Sequence, residues 1–386
     1  MIKTPDFWTN RGLLAVLLLP FAGLWAGATF IRNALAHETK AALPIICIGN
    51  LSAGGTGKTP VTSFLYDQLQ TRGHKPAILI RGYGGTAKRP LWVDPSLHHA
   101  NEVGDEALML GESRDVLVAR DRVAGAAMIA ANGNHDVILM DDGLQHPYIA
   151  KDFAIGVFDG NVGIGNGWLI PAGPLRIGLE GGIKTINAAV INGNDETDIT
   201  SKLQPHMPVF AGHLTADQNL IDALDGNPVM GFAGIGRPNR FFTSLKAAGA
   251  NLVRSLAFAD HHPYSEADLV RLQEDATRLG AALITTKKDW VRLPAEWRER
   301  IGFLPVSLDL DAADALVDTI IATIAEKGAG QKWHFRRVKF YKNGFGKSFA
   351  GRLKHCLALA FSFLPDCCQC ALPVAQWVGF WGLWHL

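Results

Sequence analysis

The stretch GNLSAGGTGKTP at 49–60 constrains this chain more than any other. It follows the apolar run Ile45-Ile46-Cys47-Ile48 and leads into a helix-compatible segment at 59–72. A buried strand, a glycine-rich turn and a Gly-Lys-Thr helix start together read as a phosphate-binding loop. Such a loop belongs at the carboxyl edge of a mostly parallel sheet. Gly54, Gly55 and Gly57 let backbone N–H groups turn inward around phosphate oxygens, in conformations a Cβ would obstruct. Lys58 can reach the β- and γ-phosphates, and the Thr59 hydroxyl suits Mg²⁺. A helix starting there aims its positive end at the same anion. The full signature G-x-x-x-x-G-K-[ST] asks for glycine at position 52, where this chain has Ser52. That change touches the loop entrance only. Ser52, Ala53, Gly54, Gly55, Thr56, Gly57, Lys58 and Thr59 are therefore the expected nucleotide-binding set. The bland alternative, a glycine-rich turn without ligand, sits poorly with the apolar strand before it and the intact Lys58-Thr59.

The remaining pattern is what such a sheet requires. Apolar runs at 45–48, 76–80, 115–119, 136–140, 153–158, 188–192 and 208–211 alternate with helix-compatible stretches such as 121–132. Runs that are apolar almost throughout fit strands covered on both faces, in βαβ units. A second series follows at 229–234, 251–258, 281–286 and 303–310, with helical segments at 237–249, 265–279 and 312–327. The expected fold is α/β: a P-loop NTPase-like, mostly parallel sheet, a second, smaller α/β lobe, and an N-terminal hydrophobic helix. The expected boundaries are 1–36 for that helix, 37–220 for the P-loop lobe, 221–330 for the second lobe and 331–386 for an atypical tail.

Charge and cysteine both divide near position 330. The net charge of +1 is the sum of a tail at +7, with eight Lys/Arg and one Asp from Gln331 onward, and a body at −6. An acidic body argues against nucleic acid as its partner. Cys47 is the only cysteine before Cys356, so the body has no disulfide framework and fits a reducing compartment. The terminal CCxC at 367–370 lacks a second ligand pair at zinc spacing.

Residues 12–30, GLLAVLLLPFAGLWAGATF, carry no charge and lie between Arg11 and Arg32. At ~1.5 Å per residue such a segment approaches the hydrocarbon thickness of a bilayer. A membrane anchor, spanning or lying in the interface, is the favoured reading, with Trp8 and Trp25 as interfacial aromatics. A buried core helix is the plain alternative. A cleaved signal at Ala34-Leu35-Ala36 would export a loop that needs ATP to a compartment without it.

Several further segments carry chemistry. DVILMDDGLQH at 136–146 ends an apolar strand in Asp141-Asp142, at the edge where the loop sits; such a pair holds Mg²⁺ or caps a turn. VGDEA at 103–107 offers Asp105 and Glu106 at a helix start, where capping is the other use. FADHHPYS at 258–265 presents Asp260, His261 and His262 from the second lobe, and adjacent histidines point different ways. A hydroxyl acceptor needs its proton removed and its oxygen aligned with phosphorus, which a carboxylate assisted by histidine supplies. RGYGG at 81–85 and PAGPLR at 171–176 bring Arg81 and Arg176, either phosphate forks or surface charges. TTKKDWVRL at 285–293 puts Lys287, Lys288 and Asp289 after a strand of the second lobe, at a nucleotide-facing or a merely solvated edge.

Taken in order, IGNLSAGGTGKTP, RGYGG, VGDEA, DDGLQH, PAGPLR, GFAGIGRP, FADHHPY and TTKKDWVRL resemble the tetraacyldisaccharide 4′-kinase family of lipid A biosynthesis, over about 1–328. The resemblance implies ATP-dependent phosphorylation of the 4′-hydroxyl of a tetraacylated glucosamine disaccharide 1-phosphate. It places that reaction at the cytoplasmic face of the inner membrane. It implies ATP and Mg²⁺ as cofactors, the acylated disaccharide and the membrane surface as partners, and no nucleic acid or obligate protein partner. Asp105 would be the catalytic base, assisted by a histidine of the DHH motif, His261 in preference to His262. Thr59, Asp141, Asp142 and Glu106 would make the metal set, with Gln145 beside it and Arg81 and Arg176 as substrate or phosphate contacts. Position 52 in that family tends to be Ser or Thr.

The rival reading is a membrane-associated partitioning ATPase of the MinD/ParA type; Ala53 stands where that class has its signature lysine, and DDGLQH is foreign to it. The tail departs from the family. Its segment KFYKNGFGKSFAGRLKHCLALAFSFLP at 339–365 resembles the opening of a lipid A acyltransferase, as a fusion or frameshift would give, and otherwise reads as a basic extension for anionic lipid.

Overall fold

A computed structural model describes residues 5–328 of the chain. The tail at 331–386, with its acyltransferase-like segment and CCxC cluster, lies outside the described residues. The strands run β1 Ile45–Gly49, β2 Pro76–Ile80, β3 Leu91–Trp92, β4 Val116–Val118, β5 Val137–Asp141, β6 Phe153–Asp159 and β7 Ala188–Asn192. They continue as β8 Val209–Ala216, β9 Pro228–Ala233, β10 Asn251–Ala257, β11 Ala282–Thr286, β12 Gly302–Leu304 and β13 Val306–Leu310. Nine form one sheet in the order β13-β8-β7-β6-β1-β5-β2-β4-β3, and four form a second in the order β10-β9-β11-β12. In the large sheet every pairing is parallel except β3 with β4 and β13 with β8, both at its ends.

Alternation along β1 explains the layers. Ile46 and Ile48 join the core under helix Lys58–Thr71 and helix Ala313–Gly328, whereas Ile45 and Cys47 join the core under helix Arg122–Asn132. β1, β2, β5, β6 and β7 are buried throughout, as strands covered on both faces must be. β1 is central, so its carboxyl end, where the glycine-rich loop begins, opens between neighbouring strand ends.

One expected strand is two. The run 303–310 breaks at Pro305, which has no N–H for a ladder. β12 stays in the small sheet, while β13 crosses to pair antiparallel with β8. The sequence-based second lobe at 221–330 therefore loses its last strand and helix, which pack on the large sheet; Leu308, Leu310, Val317 and Ile320 lie in its core.

The N-terminal segment also differs from the spanning alternative. It forms two helices, Leu13–Leu17 and Leu19–Leu35, with Pro20 in the first turn of the second. Proline tolerates a first turn and breaks a helix interior. No described helix is long and apolar enough to cross a membrane. Nor is it a core helix: Leu17, Leu24, Ile31 and Leu35 are exposed along one side, while Ala22 is buried on the other.

Candidate active site

The phosphate loop is held open by its neighbours. Gly57 precedes helix Lys58–Thr71 with a φ of 88°, and a Cβ there would come within 2.0 Å of Asn192 Nδ2. That same Asn192 amide donates to the Thr56 carbonyl at 3.2 Å, tying the loop to the end of β7. At the loop's start, Asn50 Nδ2 donates to the Gly54 carbonyl at 3.2 Å. Ser52, unlike Gly57, does not have a positive φ. It bridges Leu175 in antiparallel fashion, flanked by Ala53 N–H to Pro174 O at 2.7 Å and Arg176 N–H to Leu51 O at 2.8 Å. Extended backbone of this kind has no need of glycine, which accounts for the departure from the usual signature.

Asp141 and Asp142 close β5 and differ sharply. Asp141 is buried, and neither carboxyl oxygen has a hydrogen-bond partner. Burial, then the neighbouring charge of Glu106, pushes its pKa up to about 7. Asp142 turns out of the strand with φ 52° and faces two cations, Lys58 Nζ at 3.6 Å and Arg176 Nη1 at 3.3 Å. Burial alone would raise its pKa; Lys58 and Arg176 outweigh that and hold it below the usual range. Gln145 joins the cluster, accepting from Arg176 Nη1 at 3.3 Å and donating to the Asn50 carbonyl at 2.6 Å. Beneath lies Arg122, buried, its guanidinium donating to the Ala119 and Asp141 carbonyls at 3.1 Å each. Burial lowers its pKa to about 10, so it stays charged beside the two aspartates.

Asp105 opens helix Asp105–Gly111, placed by interlocked glycines. A Cβ on Gly104, with φ 90°, would meet the Tyr83 carbonyl at 2.5 Å, so RGYGG and VGDEA pack backbone to backbone. The second lobe delivers His261, whose Nδ1 lies 2.6 Å from Asp105 Oδ2. Arg292 Nε stands 3.6 Å from the same oxygen. His261 Nε2 is 3.4 Å from Lys288 Nζ, which also pairs with Glu106 Oε1 at 3.3 Å. His262 is not brought to Asp105. Its Nε2 meets Asp268 Oδ2 at 3.1 Å and its ring lies 4.8 Å from Phe258, so it braces the cap of helix Glu266–Leu279. His261 itself has a left-handed backbone, φ 59°. Arg81, at the end of β2, is exposed and makes no ion pair with any described residue.

Sequence reading missed several supports. Asp159, at the end of β6 and 1% exposed, holds Arg237 and Arg240 from the second lobe. Asp289, fully buried, accepts from Gly234 N–H at 3.0 Å and Tyr264 O–H at 2.9 Å and pairs with Arg292. Their segments, GFAGIGRP and TTKKDWVRL, were visible, but a partner distant in sequence leaves no trace in spacing.

A strand–loop–helix cradle, acids at the neighbouring strand end and a second lobe supplying histidine, lysine and arginine are the arrangement of a P-loop phosphotransferase. The comparisons narrow the class. The family model described as tetraacyldisaccharide-1-P 4′-kinase matches residues 14–325. A tetraacyldisaccharide 4′-kinase of Rhodospirillum centenum is 43% identical over 328 residues, covering 84% of this chain and 97% of the relative. One from Methylobacterium nodulans is 46% identical over 319 residues, covering 81% of this chain and 94% of the relative. A crystal structure of LpxK from Aquifex aeolicus in complex with ATP superposes with a TM-score of 0.67 at 26% identity, covering 81% of this chain and all of that one. The chain belongs to the tetraacyldisaccharide 4′-kinase family, enzymes that phosphorylate the lipid A precursor. The partitioning-ATPase alternative finds no support in these matches.

Proposed function

We propose that the enzyme transfers the γ-phosphate of ATP to the 4′-hydroxyl of a tetraacyldisaccharide 1-phosphate, with Asp105 as base, at the cytoplasmic face of the inner membrane. The observation that carries the reading is the 2.6 Å contact between Asp105 of the P-loop lobe and His261 of the second. His261 and Arg292 both meet Oδ2 of Asp105, which leaves Oδ1 for the acceptor hydroxyl. A hydrogen-bonded, oriented carboxylate is the group a sugar hydroxyl needs as it begins to attack phosphorus. The nucleotide would lie on the 52–59 loop, its phosphates met by Lys58 and the start of the helix.

The residues present fit Mg²⁺. Asp141 has two buried oxygens without partners, and the charges of Glu106 and Asp142 act on it. Among the described residues no group of three or more His, Cys, Asp or Glu could hold a metal unaided. The expected carboxylates Asp141, Asp142 and Glu106 thus do not form one ligand group, and Asp142 pairs instead with Lys58 and Arg176; an ion here would be held by one or two carboxylates together with substrate phosphates. When bound, Mg²⁺ neutralises phosphate charge. Arg176 and Gln145 would meet the acceptor or the phosphates, and Arg81 the anionic end of the lipid. The exposed apolar side of helix Leu19–Leu35 supports peripheral seating on a bilayer, where the acylated substrate resides.

Incubating the enzyme with γ-labelled ATP, Mg²⁺ and tetraacyldisaccharide 1-phosphate in mixed micelles tests this reading. Label should appear on the lipid at the 4′-position. Steady ATP hydrolysis with unlabelled lipid would overturn it.

A further inference from the structure

The N-terminal helix has its polar and apolar sides reversed relative to a surface helix of a globular protein. Leu24, Ile31 and Leu35 of helix Leu19–Leu35 are exposed, and the side facing the body carries Ala22, Trp25 and Arg32. Two of its side-chain hydrogen bonds reach the body at particular residues. Trp25 Nε1 donates to the Arg176 carbonyl at 3.0 Å, and Arg32 Nη2 donates to the Gln145 carbonyl at 3.1 Å. Those residues' side chains are the pair that converges at the end of β5: Arg176 Nη1 reaches both Asp142 Oδ1 and Gln145 Oε1 at 3.3 Å. Asp142 in turn stands 3.6 Å from Lys58 Nζ. A continuous path thus runs from the helix through Arg176 and Asp142 to the phosphate loop. Gln145 makes a second path, through the Asn50 carbonyl at 2.6 Å.

Simple attachment would not need these partners. The segment before the helix is already fastened elsewhere: Trp8 Nε1 donates to the Pro171 carbonyl at 2.9 Å, and Arg11 Nε donates to the Asn166 carbonyl at 3.0 Å. Trp25 and Arg32 add bonds at the carbonyls of two site residues, leaving the site side chains free to point inward.

We propose that Trp25 and Arg32 are positioning residues: they fix the backbone at Arg176 and Gln145, so that seating of the helix sets the Arg176–Asp142–Lys58 array for transfer. This rests on the lipid-kinase reading above and adds to it that the apolar helix acts on the rate of the chemistry as well as on attachment.

The test uses the full chain with ATP and tetraacyldisaccharide 1-phosphate in mixed micelles, comparing Trp25→Phe and Arg32→Lys with the parent. Phenylalanine keeps an aromatic ring and removes the N–H donor. In Trp25→Phe, kcat should fall about tenfold, the scale of one positioned hydrogen bond. The KM for ATP and retention on phosphatidylethanolamine–phosphatidylglycerol vesicles should stay within twofold of the parent. In an Arg176→Ala background the same Trp25→Phe change should cost less than twofold, because the group it positions is gone. Arg32→Lys, which keeps the charge without the fork, should lose less than Arg32→Ala. An unchanged kcat in Trp25→Phe, or an equal cost with and without Arg176, overturns the inference while leaving the kinase reading standing. Parallel loss of ATP affinity and vesicle retention would mark a merely structural role and overturn it too. A parent enzyme that leaves the lipid unphosphorylated would fail the kinase reading itself.

Discussion

Asp105 and His261 lie 156 positions apart and meet only because the second lobe returns to the helix start that follows RGYGG. The neighbouring histidines therefore separate by contact, His261 meeting Asp105 and His262 meeting Asp268. His261→Ala should reduce kcat by about 10- to 100-fold while melting close to the parent, since general acid–base assistance is typically worth ~10²–10⁴ and the carboxylate remains. His262→Ala should instead lower the melting temperature through the lost brace on Asp268 and Phe258, with kcat within about threefold. The reverse pattern would move the role to His262. A third histidine, His146, is kept neutral: burial, then the charges of Arg122 and Lys151, lower its pKa from 6.5 to about 4. Between those values the unfolded chain binds a proton that the folded one refuses, so stability falls as pH drops through that window. His146→Gln should flatten the pH dependence of the melting temperature between pH 6.5 and 4, read by calorimetry. An identical slope in parent and variant would remove His146 from that account.

At the scale of elements, the glycine-rich loop separates conformational need from signature. Gly57 has a positive φ and no room for a Cβ beside Asn192, whereas Ser52 is extended against Leu175. Gly57→Ala should weaken ATP binding more than tenfold, and Ser52→Gly should leave it within twofold, by titration calorimetry; the opposite ranking would contradict this assignment. The buried strands were legible in the sequence because each is apolar on both faces, and the loop because its residue types are demanded by backbone geometry. The end of the small lobe was not. The run FLPVSLDL reads as one strand, and only the missing N–H of Pro305 marks where the chain leaves one sheet for the other. The Asp159–Arg237–Arg240 cluster was likewise hidden, since nothing local to β6 announces cations arriving from a later helix.

At the scale of the whole molecule, the two lobes meet at both flanks of the phosphate loop. On one side Asp105, Glu106 and Glu112 receive His261, Lys288 and Lys287; on the other Asp159 receives Arg237 and Arg240. The Asp105–His261 pair is thus assembled by lobe contact. Resemblance in the sequence indicated which motifs belong to one enzyme family; the large sheet brings the phosphate loop, RGYGG and DDGLQH to the ends of neighbouring strands, and the second lobe supplies the rest.

The central claim is that Asp105 takes the proton of the acceptor hydroxyl. Single-turnover transfer from γ-labelled ATP to tetraacyldisaccharide 1-phosphate, parent against Asp105→Asn, tests it most directly. The predicted result is a transfer rate lower by about 10²–10⁴-fold with the ATP dissociation constant within threefold of the parent. A transfer rate within threefold of the parent would contradict it.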